Sequence, residues 1–347
     1  MKFGTFLFPD SRDPAGDGTV IEETVREALL ADSLGADMIW LAEHHFDGIS
    51  VYADPMVLAG ALAASLRHAG LGFAVIQTAL HHPIRLAEQM AVLDHLMKGR
   101  LVVGLGRGSS YNIYDYQGFG IDHREAQARL DEAEAIMVKA WTEGEFSHHG
   151  RFWQLQVPML RPRPYTRPHP VLIRGSSGDA SLAELAQHGR PFMMNVQSLE
   201  TTRRRVGVYR ETMLKAGYDE AAVAANLAAS WLWRNIVVAE TDAEAACVGV
   251  PAFETTTRAR AEMRNRIFAE TGMRIEVPAS DLPGARSARG DGLIHGSPAT
   301  VAEDFAALDR LGVGGIIATF RLGPMPHEVA AHSLSLFMRK VAPQFRN

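Results

Sequence analysis

The chain has 347 residues, 47% hydrophobic and 22% charged, with a formal net charge of −5 and no long basic run. That length suits one large α/β domain with insertions or two smaller domains, either able to bury a full core without staples. The acidic balance gives no electrostatic support for a nucleic-acid partner, and the single cysteine, Cys247, excludes an internal disulfide and any multi-cysteine metal site and fits a reducing, cytoplasmic compartment.

Residues 2–8, Lys2-Phe3-Gly4-Thr5-Phe6-Leu7-Phe8, read as a strand, with no charged leader and cleavage site ahead of them, so no signal peptide is expected. No apolar run reaches about 18 residues, so no membrane span is expected. Val20, Thr24, Ala28 and Ala31 recur at helical spacing before a stop at Gly35. Asp37 to Ala42 is a second strand. Asp54 caps and Pro55 opens a helix to about Arg67. Gly70 to Ala79 reads as a third strand, Pro83 opens a helix to about Leu96, and Lys98-Gly99-Arg100 turns into a fourth strand, Leu101 to Leu105.

A Gly-, Ser- and Tyr-rich loop covers 106–120, and a helix follows from Asp122 to Thr142. Residues 145–169, with Phe146, Phe152, Trp153 and five prolines, predict a short hairpin and an extended excursion. The rhythm returns with strand Val171-Leu172-Ile173, helix 179–188, strand Phe192-Met193-Met194 and helix 199–216. Arg203-Arg204-Arg205 reads there as a solvated helix face. Strand 229–238 and a helix starting near Thr241 follow. Residues 254–295 are polar, Arg-rich and then Gly-rich, and are expected to be an irregular lid. A helix at 298–310, strand 315–320 and helix 326–340 close the chain. Eight strands alternating with helices predict a single (β/α)8 TIM barrel over 1–347, with an open doubly wound sheet as the alternative.

Polar clusters stand where strands end. Such ends build the sites of parallel α/β proteins. Two histidine pairs, His44-His45 and His81-His82, suggest proton chemistry. Adjacent histidines on a strand point to opposite faces, so they make a poor metal pair and no metal is expected. Gly104-Leu105-Gly106-Arg107-Gly108 is either a turn or a phosphate loop carrying an arginine. Arg174-Gly175-Ser176-Ser177-Gly178-Asp179 precedes a helix and is either a set of caps or a phosphate cradle. Taken together, the two loops imply a phosphorylated ligand at the barrel mouth.

These residues, in this order, resemble the bacterial luciferase-like, flavin-dependent monooxygenase family, and most nearly its luciferase α-subunit type. The resemblance runs nearly end to end: the opening Met-Lys-Phe-Gly-Thr-Phe-Leu, Glu43-His44-His45-Phe46, His82-Pro83-Ile84-Arg85 with Glu88-Gln89, Gly99-Arg100-Leu101 leading to Gly106-Arg107-Gly108, Gly296-Ser297-Pro298, and Gly312-Val313. It implies reduced FMN supplied by a separate NAD(P)H:flavin reductase, oxygen added at flavin C4a, and oxidation of a small organic substrate. It makes His44 the catalytic histidine, gives the FMN phosphate to Arg107 and Ser176 with their neighbours Gly108, Gly175 and Ser177, and puts a non-proline cis peptide at Ala74–Val75 beneath the flavin. A further phosphate-binding arginine is Arg124 or Arg129.

Two departures stand out. The luciferases' reactive cysteine is Gly106 here, so luminescence is not implied. Their phosphate-site glutamate is replaced by Gly175 or Arg174. Tyr52, Tyr111, Tyr114, Tyr116, Phe8, Trp231 and Trp233 are candidates for an apolar substrate pocket. Ala- and Leu-rich helices at 54–67 and 83–97 suggest a homodimer. The competing functions are hydride transfer with the deazaflavin F420 on the same barrel, a flavin-binding protein without turnover, and, less favoured, a metal hydrolase.

Overall fold

The computed structural model describes residues 1–108, 113–272 and 292–346. Eight parallel strands form a closed ring in the order β1 (Lys2–Phe6), β2 (Met38–Leu41), β3 (Gly70–Phe73), β5 (Leu101–Gly106), β8 (Val171–Ser176), β9 (Phe192–Met194), β10 (Trp231–Val238) and β12 (Gly315–Thr319). Closure is carried by the register Lys2↔Gly315 between the first and last strands and Trp231↔Met193 between β10 and β9. This is the (β/α)8 barrel, and not the open sheet. The strands are continuous apolar runs because both of their faces are covered, by the barrel interior and by the helices.

Each strand is followed by helix. Among the described residues these are α1 (Asp17–Ser33), α2 (Pro55–Ser65), α3 (Pro83–Met97), α4 (Ile113–Gly118), α5 (Ala126–Thr142), α6 (Asp179–Gln187), α7 (Leu199–Lys215), α8 (Glu220–Ala229), α9 (Asp242–Thr271), α10 (Pro298–Asp309) and α11 (His327–Leu336). Local sequence explains the starts. Asp54 accepts from the Met56 amide with Pro55 in the first turn, and Thr241 and Glu244 form a reciprocal cap on α9. Among the described residues no helix is long and apolar enough to cross a membrane.

Phe6, Met38, Trp40, Ile173, Met193, Trp231 and Ile317 pack into one buried cluster that fills the ring. Trp40 is fully buried and meets Trp231 edge to face at 4.9 Å between centroids. It lies between two glycines: a Cβ on Gly4 would fall 2.4 Å from its Nε1, and one on Gly72 2.4 Å from its Cζ3. The indole therefore plugs the barrel, and a site can form only above it, at the carboxyl ends of the strands.

Several elements depart from the sequence reading. The third strand stops at Phe73, and a two-residue strand, β4 (Ile76–Gln77), resumes pairing with β5 after the break. The loop expected over 106–120 contains α4. Residues 254–271, expected to be irregular, are the second half of the 30-residue α9, while Leu293–Gly296 forms β11, paired with the outer half of β10. The rest of the expected lid, 273–291, lies outside the described residues. The polar, Arg-rich composition that reads as a loop is that of a helix largely exposed to solvent. Residues 146–149 and 154–157 pair as an antiparallel hairpin, β6 and β7, alongside α5. Arg203-Arg204-Arg205 is not a simple solvated face: Arg205 is buried, and it and Arg204 both donate to Asp179 at 2.8 Å.

Candidate active site

β2 ends in Leu41, and Glu43, His44 and His45 follow at the mouth. Their side chains diverge. His45 is buried and its Nε2 donates to Glu43 Oε1 at 2.9 Å. His81 Nε2, from the far side of β4, donates to the same oxygen at 2.8 Å. The other carboxylate oxygen, Oε2, accepts from the Gln77 amide at 2.7 Å. Burial opposes charge on Glu43, but the bonds from His45 and His81 and the Gln77 amide outweigh it and hold its carboxyl down at about 2. The reverse holds for His81. Burial disfavours its charged form, and the hydrogen bond and charge of Glu43 raise its pKa overall.

His44 faces the mouth. Its side chain is 39% exposed and stands 3.9 Å from Asp115 Oδ2 through Nδ1, with its ring edge-to-face against Phe8 at 5.1 Å. Desolvation lowers its pKa below the ordinary imidazole value and Arg260 adds to that, against the opposing pull of Asp115 and Asp47. His44 is therefore neutral at pH 7 and able to accept a proton. Asp115, on α4, is itself fixed: Oδ1 accepts from the His45 amide at 3.2 Å and Oδ2 from Gln77 Nε2. Gln77 thus ties Glu43 to Asp115, also donating to the Glu43 carbonyl at 3.0 Å.

The break in the third strand borders this cluster. The Ala74–Val75 peptide is cis, and the Val75 side chain occupies space that two glycines leave clear. A Cβ on Gly106 would lie 2.4 Å from Val75 Cγ2, and one on Gly175 3.3 Å from Val75 Cγ1. A cysteine cannot stand at 106 without displacing Val75. Gly108 has φ +76°, and a Cβ there would meet Gln77 Oε1 at 2.5 Å and Tyr116 Oη at 2.7 Å. Arg107 between these glycines is exposed, and its carbonyl accepts from the Tyr116 hydroxyl.

A family model described as luciferase-like monooxygenase matches residues 1–315. The chain belongs to that family. Among its relatives, the alkanal monooxygenase alpha chain of the Kryptophanaron alfredi symbiont is 29% identical over 224 residues, 63% of this chain and 61% of the relative. The oxygenase component of the flavin-dependent trigonelline monooxygenase of Acinetobacter baylyi is 26% identical over 249 residues, 65% of this chain and 68% of the relative. These alignments span about two thirds or less of the relatives' lengths. In structure, the chain matches monooxygenase RslO1 from Streptomyces bottropensis with a TM-score of 0.82 at 28% identity, covering 100% of both chains. It shares its fold with the FMN-bound oxygenating constituent of 3,6-diketocamphane monooxygenase from the CAM plasmid of Pseudomonas putida, at TM-score 0.77 and 20% identity over the full length of both. It also shares its fold with an F420-dependent secondary alcohol dehydrogenase, at TM-score 0.72 and 14% identity over 100% and 99% of the two chains.

Luciferase-like membership makes a phosphate-bearing flavin the group against which the mouth is tested, and its residues fit one. Arg107 supplies an exposed cation. Ser177 is exposed on the turn into α6, whose N-terminus offers backbone N–H groups. Among the described residues, Gln77 Oε1 and Asn195 Oδ1 are buried acceptors that lack a hydrogen-bond partner, and Gly175 leaves the surface bare beside Val75, whose own side chain fills the space at Gly106.

Other expected residues are placed differently. Ile173 faces the barrel interior, so alternation turns Ser176 outward. Its Oγ lies 3.0 Å from Ser181 Oγ and 3.3 Å from the Gly178 carbonyl, beneath α6, leaving Ser177 as the accessible hydroxyl. Arg174 points outward for the same reason and pairs with Glu134 at 2.6 Å and Asp131 at 2.8 Å on α5. Arg124 is 80% exposed and paired with Asp122. Arg129 pairs with Glu125 and lies over the Phe152 ring at 4.3 Å, which ties it to the hairpin.

Among the aromatic candidates, Trp231 belongs to the core. Tyr52 is buried and donates to the Leu7 carbonyl, and Tyr114 turns outward to α9. Phe8 and Trp233 stay partly exposed beside His44 and the barrel interior, and Tyr111 lies outside the described residues. Glu43 as hub of two histidines escapes the sequence reading. An acid directly before a His-His pair, with another histidine after the next strand, is the signal that could have found it.

Proposed function

We propose that the protein is the oxygenase component of a two-component, FMN-dependent monooxygenase that oxidises a small organic substrate with O2, in the cytoplasm. The observation that carries this reading is the position of His44: accessible at the carboxyl ends of the strands, 3.9 Å from Asp115, in the same cluster as Gln77, which adjoins the Arg107–Gly108 loop. Reduced flavin, when bound, supplies the electrons that activate O2. A separate NAD(P)H:flavin reductase delivers it, in keeping with a relative that is itself named an oxygenase component.

This chain's own residues do the rest. Arg107, Gly108, Ser177 and the N-terminus of α6 hold the phosphate, with Gly175 leaving space beside them. Gln77 and Asn195 offer acceptors for ring N–H groups, and the Ala74–Val75 segment backs the ring. His44 takes or returns a proton at its exposed imidazole. Phe8 and Trp233 present an apolar wall that keeps water from the reacting centre.

Arg107→Ala is expected to weaken FMN binding by roughly 1.5–3 kcal/mol, the range for a hydrogen bond to a charged group. A fluorescence titration showing unchanged affinity removes Arg107 from the site. Binding of F420 in place of FMN, with hydride transfer and no oxygen uptake, would favour the alternative on the same barrel.

The protein is further proposed to be a homodimer through α2 and α3. Leu58, Ala59 and Leu62 pack inward, while the outer faces show Val57 at 83% exposure together with Ala61, Ala64, Val92 and Leu96. Small apolar side chains allow close helix approach, and an uncovered apolar face favours a second copy. Light scattering at micromolar concentration should give twice the chain mass of 37.9 kDa, and a monomer mass refutes the dimer.

A further inference from the structure

Three consecutive residues of α4 reach three different parts of the mouth. Successive helical residues are turned about 100° from one another, so neighbours diverge. Tyr116 turns back onto the glycine loop and donates to the Arg107 carbonyl. Asp115 turns inward, to His44, the His45 amide and Gln77. Tyr114 turns outward to the end of α9. Its hydroxyl donates to Glu270 Oε2 at 2.6 Å and accepts from Arg266 Nε at 3.2 Å, and the Arg266 guanidinium lies over its ring at 5.0 Å.

The other contacts of α9 show its course. Ala252 and Phe253 pack with Leu322 and Met325, in the loop after β12. A Cβ on Gly323 would lie 2.6 Å from Thr256 Oγ1. The helix then ends against α4, which follows β5. Strands β12 and β5 are separated in the ring by β1, β2 and β3, so α9 crosses the mouth on the side that carries His44. Its far end is pinned to α4 through Tyr114.

We propose that Tyr114 is a positioning residue that latches α9 across the mouth, so that α4 couples occupation of the Arg107 loop to closure over His44. The proposal rests on the flavin reading above for what occupies the loop, but not for the latch itself. The Tyr114 hydroxyl spends its bonds on Glu270 and Arg266 of α9, and acts through that helix.

The test is hydrogen exchange on the full-length chain, read on peptides spanning 258–270, for wild type, Tyr114→Phe, Glu270→Gln and the double variant, without flavin and with FMN. Tyr114→Phe keeps the ring under Arg266 and removes only the hydroxyl's bonds. Without flavin, each single variant should open α9 about two- to fivefold more often, the shift expected from losing a solvent-exposed charged contact. The double variant should open it no further than either single one. With FMN, wild-type α9 should gain protection, and FMN dissociation from Tyr114→Phe should be faster by a similar factor, with the melting temperature little changed. Wild-type exchange and release rates in Tyr114→Phe, or single effects that multiply in the double variant, would overturn the latch. Failure of every variant to bind FMN would sink the flavin reading, while the flavin-free exchange would still decide the latch.

Discussion

His44→Ala is expected to bind FMN nearly as tightly as the parent and to lose about 10²-fold or more in product formed per O2 consumed, the usual scale for a general acid–base group. The reason is geometric. His44 is the imidazole of the cluster that faces the mouth, and its lowered pKa keeps it neutral and ready to accept a proton. Arg107, Ser177 and the α6 turn, proposed above to hold the phosphate, do not depend on it. His45→Ala should act differently, because His45 is buried and spends its Nε2 on Glu43. Its loss should lower stability and leave coupling largely intact. Oxygen uptake measured against hydrogen peroxide and product separates the two. If His44→Ala keeps full coupling while His45→Ala loses it, the roles are reversed.

The second large effect falls on stability. Glu43→Ala removes an acceptor shared by His45, His81 and the Gln77 amide, leaving buried donors without a partner, and should cost about 3–5 kcal/mol. Its pH dependence follows from the two shifts. Glu43 is depressed to about 2 from an ordinary 4.5, so its contribution is complete above pH 4.5 and is lost as pH falls toward 2. His81 is raised above 6.5, so its contribution is complete below 6.5 and is lost as pH rises through its folded value. The gap between wild type and Glu43→Ala should therefore be widest between roughly pH 5 and 6.5. Urea denaturation across pH 3–9 checks it, and a gap of constant size would contradict the ion-pair assignment.

The barrel is legible in the sequence because a parallel strand covered on both faces leaves an apolar run, and a Gly or Pro marks many of the helix boundaries, as Gly35, Pro55, Pro83 and Pro298 do. His44, the glycine loop and the turn before α6 are legible as polar residues at strand ends. What stays hidden depends on contacts distant in sequence. Nothing local announces that His81 and His45 share one oxygen of Glu43, or that Asp115 returns from α4 to meet them. The short α4 is hidden because its Gly, Ser and Tyr surroundings read as loop, and the second half of α9 because a solvent-facing helix carries few apolar positions. Ser176 is the motif's choice for the phosphate, whereas strand alternation from Ile173 decides that Ser177 is the accessible hydroxyl.

The FMN-dependent oxygenase reading is decided by anaerobic titration with reduced FMN and, in parallel, reduced F420, followed by admission of O2. One equivalent of reduced FMN should bind, Arg107→Ala should weaken it, and O2 should then be consumed in proportion to the bound flavin. Tight binding of F420 with no binding of FMN, or bound FMN whose affinity ignores Arg107, would contradict it.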